Sequence, residues 1–188
     1  MSVFEYLSVM HSIILALGVA RLLGGVADLS RHWGTIGAEW LLAIWLFQLL
    51  MQHTGWWFGL WHAFHESTEL PLWMFVLSLS IPASLYVASR LLVPNLDSEV
   101  SIDFADRFRE IQVPFYASIA ATAIPYSSVR ILFFEGTSNQ GFLIAIGAIA
   151  LIGLFIRNIR GHYVIAMVTV TIYSSFLFLA RAGIGNAI

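Results

Sequence analysis

Residues 40–65 contain no Asp, Glu, Lys or Arg; Glu39 and Glu66 bound them as one unbroken apolar and aromatic run. At about 1.5 Å of rise per residue, such a run forms a helix longer than the roughly 30 Å hydrocarbon core of a bilayer. The same run carries Trp40, Trp45, Trp56, Trp57 and Trp61 together with His53, His62 and His65. Much of the chain's polar chemistry is therefore concentrated where water is scarcest.

The rest of the 188 residues follows the same rule. Charged residues make up 11% and hydrophobic residues 59%, with a mean hydropathy of +0.83, whereas an ordinary soluble domain is about 25% charged. The expected fold is an all-α integral membrane protein, a six-transmembrane-helix bundle in one domain that takes the lipid bilayer as its solvent. Its spans are expected near 4–26, 38–61, 71–92, 111–134, 142–156 and 163–179. Only Glu5 precedes the first apolar run and no basic residue does, so the first span reads as a retained helix rather than a cleaved signal. Ser101 as N-cap, with Phe104, Phe108 and Ile111 at helical spacing, predicts a short interfacial helix over 101–110 that runs into the fourth span; a solvated charged loop is the alternative.

Several function classes are excluded. A net charge of −2 without a basic run gives no footprint for nucleic acid. The nine basic residues are all arginine, so Schiff-base and P-loop lysine chemistry are impossible. With no cysteine, thiol redox chemistry, iron–sulfur ligation and disulfides are ruled out. No H-E-x-x-H, G-x-S-x-G or multi-histidine series is present, and enzymatic activity is not expected.

Arginine placement sets an expected orientation. Arg31, Arg90, Arg107, Arg109, Arg157 and Arg160 lie in or beside the first, third and fifth connections; only Arg130 adjoins the fourth and none the second. The positive-inside rule makes the odd connections cytoplasmic and puts both termini outside. The opening FEYLSVMHSIILALGVARLL is similar to that of bacterial six-span membrane proteins. That resemblance implies a bacterial inner membrane and carries over no active residue.

Two patterns bear on assembly. Ser8, Ser12, Ala16, Ala20 and Gly24 recur at every fourth position, and Gly147, Ala150 and Gly153 form a second close-packing face. Small-residue stripes let helices approach closely, and two of them lead us to expect a homo-oligomer. SLSIPASLYVASR (78–90) also aligns with TVTIYSSFLFLAR (169–181), which would make the chain a 3+3 inverted repeat of the kind found in transporters.

Three sets of residues compete for a functional role. His11, near the start of the first span, and His53, near the end of the second, are expected at a common depth, where polar groups are costly enough to suggest function. With Trp45, Gln52 and Trp56 on a neighbouring face they suit a b-type haem in a quinone-linked redox subunit. His62 and His65, three residues apart and followed by Glu66, suit a divalent metal. The histidines are also explained without a ligand, by hydrogen bonds between helices and a polar interface. The leading expectation is a small permease, channel or transport subunit for a small solute or ion, lined by Glu5, Ser8, Ser12, Pro82, Ser84, Pro125, Tyr126, Thr171 and Ser175; a structural or interaction subunit is the further alternative.

Overall fold

The computed structural model describes residues 3–34, 38–64, 71–93, 103–133 and 140–184. Among them are six α-helices and no strand: α1 Val3–Arg31, α2 Glu39–Phe64, α3 Leu72–Leu92, α4 Phe104–Phe133, α5 Gln140–Gly153 and α6 Ile159–Ile184.

Two of these, over Phe4–Arg31 and Leu72–Leu92, are long and apolar enough to cross a membrane by length and composition. The six expected spans are not all of this kind. In α2 the two glutamines, His53 and the tryptophans dilute the aliphatic residues. The 14 residues of α5 extend only about 21 Å, less than a hydrocarbon core.

The helices close into a ring. α2 packs on α3, α3 most extensively on α4, α4 on α5, α5 on α6, and α6 returns to α2, while α1 docks outside against α2 and α3. The docking face of α1 is Leu7, His11, Leu15, Gly18, Leu22, Gly25 and Leu29, all buried and spaced four or three residues apart, as one helical stripe requires. Gly25 lets the three helices meet, since a Cβ there would lie 2.7 Å from Val93, just past the end of α3, and 3.2 Å from Leu46 of α2. Nearby, an Arg21 terminal nitrogen donates a 2.9 Å hydrogen bond to the Val93 carbonyl at the end of α3.

The small-residue stripe of α1 faces away from the bundle. Ala16, Ala20 and Gly24 are exposed, and nothing lies within 4 Å of a Cβ built on Gly24. α4 begins at Phe104 and is continuous through the segment expected to lie at an interface. Phe104 and Phe108 are fully buried; Phe108 packs tilted against Phe104 and edge-on against Phe115, Tyr116 and His162 in an aromatic cluster. Asp103, whose Oδ1 accepts from the Ala105 N–H at 2.8 Å, starts this helix; Ser101 lies outside the described residues.

The two halves of the chain pack differently. α1, α2 and α3 all touch one another, whereas α4 and α6 are joined mainly through α5. Large apolar side chains are exposed on every helix, among them Leu17, Phe47, Val76, Ile124, Ile152 and Val164.

Candidate functional site

The neighbours of α2 fix the direction of each of its faces. Successive residues turn by roughly 100°. His53 and Leu46 face α1, at Gly18 and Gly25. Trp45 faces α4, edge-on to Phe115 at 4.9 Å and to Tyr116 at 5.8 Å between ring centroids. Gly55 faces α6, where any side chain would overlap the Tyr173 hydroxyl; that hydroxyl donates to the Met51 carbonyl at 2.9 Å. Gln48 and Gln52 fall between the α4 and α6 directions, so both amides address the interior bounded by α2, α4 and α6.

These amides are not satisfied by the fold. Gln48 is 1% exposed and Gln52 8%. Neither Nε2 nor Oε1 of Gln48, nor Oε1 of Gln52, nor the indole N–H of Trp45 has a hydrogen-bond partner among the described residues. Each such buried group costs about 1–3 kcal/mol, and the four atoms lie along one face of one helix.

A second cluster joins the start of α6 to α4. His162 is fully buried, its Nδ1 shares a 3.0 Å hydrogen bond with the Tyr116 hydroxyl, and its ring packs on Phe108 and Tyr116. Burial pushes its pKa below the usual histidine value and the nearby Arg109 charge adds to this, while the Ile156 carbonyl acts the other way. Its Nε2 meets no described group in full hydrogen-bond geometry. Beside it, Gln112 Nε2 donates to the carbonyls of Gly153, Leu154 and Ile156 at 2.9, 3.1 and 2.6 Å. These are carbonyls at and just beyond the end of α5, where the helix supplies no donors. Gly153 is required there because a Cβ would lie 2.7 Å from the Tyr116 ring.

At the opposite end His11 and His53 each bond their own helix, Nδ1 to the Leu7 and Leu49 carbonyls, both at 2.8 Å. The N–H is then on Nδ1, which leaves Nε2 with the lone pair that ligation needs. The two rings do not address a common space. His11 lies 6.0 Å from the Trp56 ring and beside the Ser78 backbone, whose carbonyl Pro82 deprives of its helical donor. Nε2 of His53 instead abuts Gly18, seven residues further along α1. An iron bound to that nitrogen would overlap the α1 backbone, so the residues as arranged do not fit a haem between His11 and His53.

The other sequence candidates are dispersed. His65, Glu66 and the side chains of His62 and Tyr126 lie outside the described residues, and no group of three metal-ligating side chains occurs among those described. Glu5 is exposed, and the Ser8 and Ser12 hydroxyls bond the Glu5 and Val9 carbonyls of their own helix. Pro82 is buried, Ser84 and Pro125 are half-buried, and Thr171 and Ser175 are exposed, Thr171 bonding the Met167 carbonyl. Of the residues singled out in the sequence, Trp45 and Gln52 share the interior face. Gln48, Gln112, Tyr116 and His162 were not singled out; Gln48 carried a signal, an uncharged polar residue one turn before Gln52 in a charge-free run. Compared with family models, curated proteins and solved structures, the chain matches none.

Proposed function

We propose that the chain is a small helical membrane protein, a permease, channel or transport subunit that passes a small solute through the interior bounded by α2, α4 and α6. The reading rests on Gln48, whose amide is buried with both polar atoms unpartnered. A leucine would fill similar volume without the cost of buried, unbonded polar atoms. Amides there gain a purpose when a passing molecule supplies the missing hydrogen bonds.

The membrane setting is supported by the exterior. Large apolar side chains are exposed on all six helices, far more than a water-facing monomer tolerates and what a lipid-facing surface needs. The arginine distribution then favours a cytoplasmic side that includes the α5–α6 connection, in a bacterial inner membrane. A homo-oligomer is part of the same proposal, supported by the outward-facing stripe at Ala16, Ala20 and Gly24.

Flux into liposomes tests it. Purified protein reconstituted at defined density should pass at least one solute or ion, from a panel of neutral, anionic and cationic species, several-fold faster than empty vesicles. Rates equal to empty vesicles across the panel would contradict the reading.

A further inference from the structure

We propose, resting on that transport reading, that the Gln48–Gln52 face binds a small uncharged solute that both donates and accepts hydrogen bonds, of the urea, carboxamide or polyol kind. The unpartnered atoms define the complement. Gln48 Nε2 and the Trp45 indole N–H are donors, and Gln48 Oε1 and Gln52 Oε1 are acceptors. A ligand that only accepts, such as a simple anion, leaves both oxygens unsatisfied; one that only donates, such as ammonium, leaves both N–H groups unsatisfied.

Charge points the same way. Residues 40–65 of α2, 111–129 of α4 and 161–176 of α6 contain no Asp, Glu, Lys or Arg. The three walls offer no counter-charge to an ion stripped of its water, and the cost of stripping a charge far exceeds that of a neutral polar molecule. The walls beside the amides are aromatic and aliphatic: Trp45, Phe115, Tyr116 and Ile119 are each at most 1% exposed. This is the composition of a small-molecule site, mostly apolar with a few converging polar groups.

Proteoliposomes of the full chain separate this inference from the transport reading beneath it. Stopped-flow light scattering measures entry of urea, acetamide and glycerol, and water flux under a sucrose gradient. Potential- and pH-sensitive dyes report ions. Gln48→Leu is compared with wild type and with Phe47→Leu, an outward-facing control. If Gln48→Leu does not elute as the wild type does on gel filtration, Gln48→Met takes its place. The expected result is passage of at least one neutral solute several-fold above empty vesicles, cut about fivefold or more by Gln48→Leu, the factor one lost hydrogen bond carries, and unchanged by Phe47→Leu. Passage of ions alone or water alone would overturn the substrate class and leave a transport activity standing. Neutral passage indifferent to Gln48→Leu would overturn the site. No passage of any species would overturn both readings together.

Discussion

The imidazole of His53 in α2 occupies the place where a side chain on Gly18 of α1 would begin. The fit is one of several contacts between the outer helix and the ring, and it leaves no slack. Gly18→Ala should therefore destabilise the protein by about 1–3 kcal/mol, the usual range for overpacking a filled interior. His53→Ala makes room, so the double variant should lose less than the sum of the single losses. Thermal unfolding of the four proteins in one detergent checks this; strictly additive losses would contradict the contact.

Gln112 should act as the cap that α5 lacks. Gln112→Leu strands the Gly153, Leu154 and Ile156 carbonyls and should cost about 1–3 kcal/mol. Gln112→Glu should cost more, because it turns an oxygen toward three oxygens. Denaturant midpoints that rank Glu below Leu and Leu below wild type are expected.

The legible and illegible parts of the sequence divide along physical lines. Helices reveal themselves by long apolar runs, so the elements of the bundle could be read from where charges stop. Distance from the helix ends gives His11 and His53 a common depth but does not show that Gly18 lies beneath the His53 ring, which depends on which way α1 docks. Serines and threonines in apolar helices suggested a polar lining, yet Ser8, Ser12 and Thr171 bond the carbonyls of their own helices, a use that sequence spacing does not distinguish from a channel face. Gln48 differs because its amide has nowhere local to turn. His162 looked like part of an arginine-rich connection, and its burial follows from Phe108 and Tyr116 folding over it.

Acid should weaken the α4–α6 junction through His162. Its folded pKa lies below the ordinary value of 6.5, so the unfolded chain binds a proton that the folded chain resists. The stabilisation is complete above about pH 6.5 and is lost as pH falls from there toward the lowered folded value. Wild type should therefore lose stability relative to His162→Gln over that acidic window and keep a constant offset above it. Parallel stability curves for the two proteins through this range would contradict the assignment.

The outward stripe of α1 makes a prediction about assembly. The chain has no cysteine, so single-cysteine variants report cleanly. Ala20→Cys and Gly24→Cys should form disulfide-linked dimers under mild oxidation in membranes, whereas Val26→Cys, exposed on the other flank of the helix, should form far fewer. Equal yields from all three would place the contact elsewhere.

The central claim is that α2 turns an uncharged polar face toward an interior that small polar molecules enter from water. Single cysteines test it most directly, with a small uncharged thiosulfonate reagent applied to the reconstituted protein. Gln48→Cys and Gln52→Cys should react at least about tenfold faster than Phe47→Cys, whose side chain is exposed on the outside of the bundle and, on the proposed reading, faces lipid, where the thiolate does not form. Reaction at position 52 and not at 47, slowed by an excess of the permeating solute, is the predicted result. Positions 48 and 52 as inert as 47 would contradict the account.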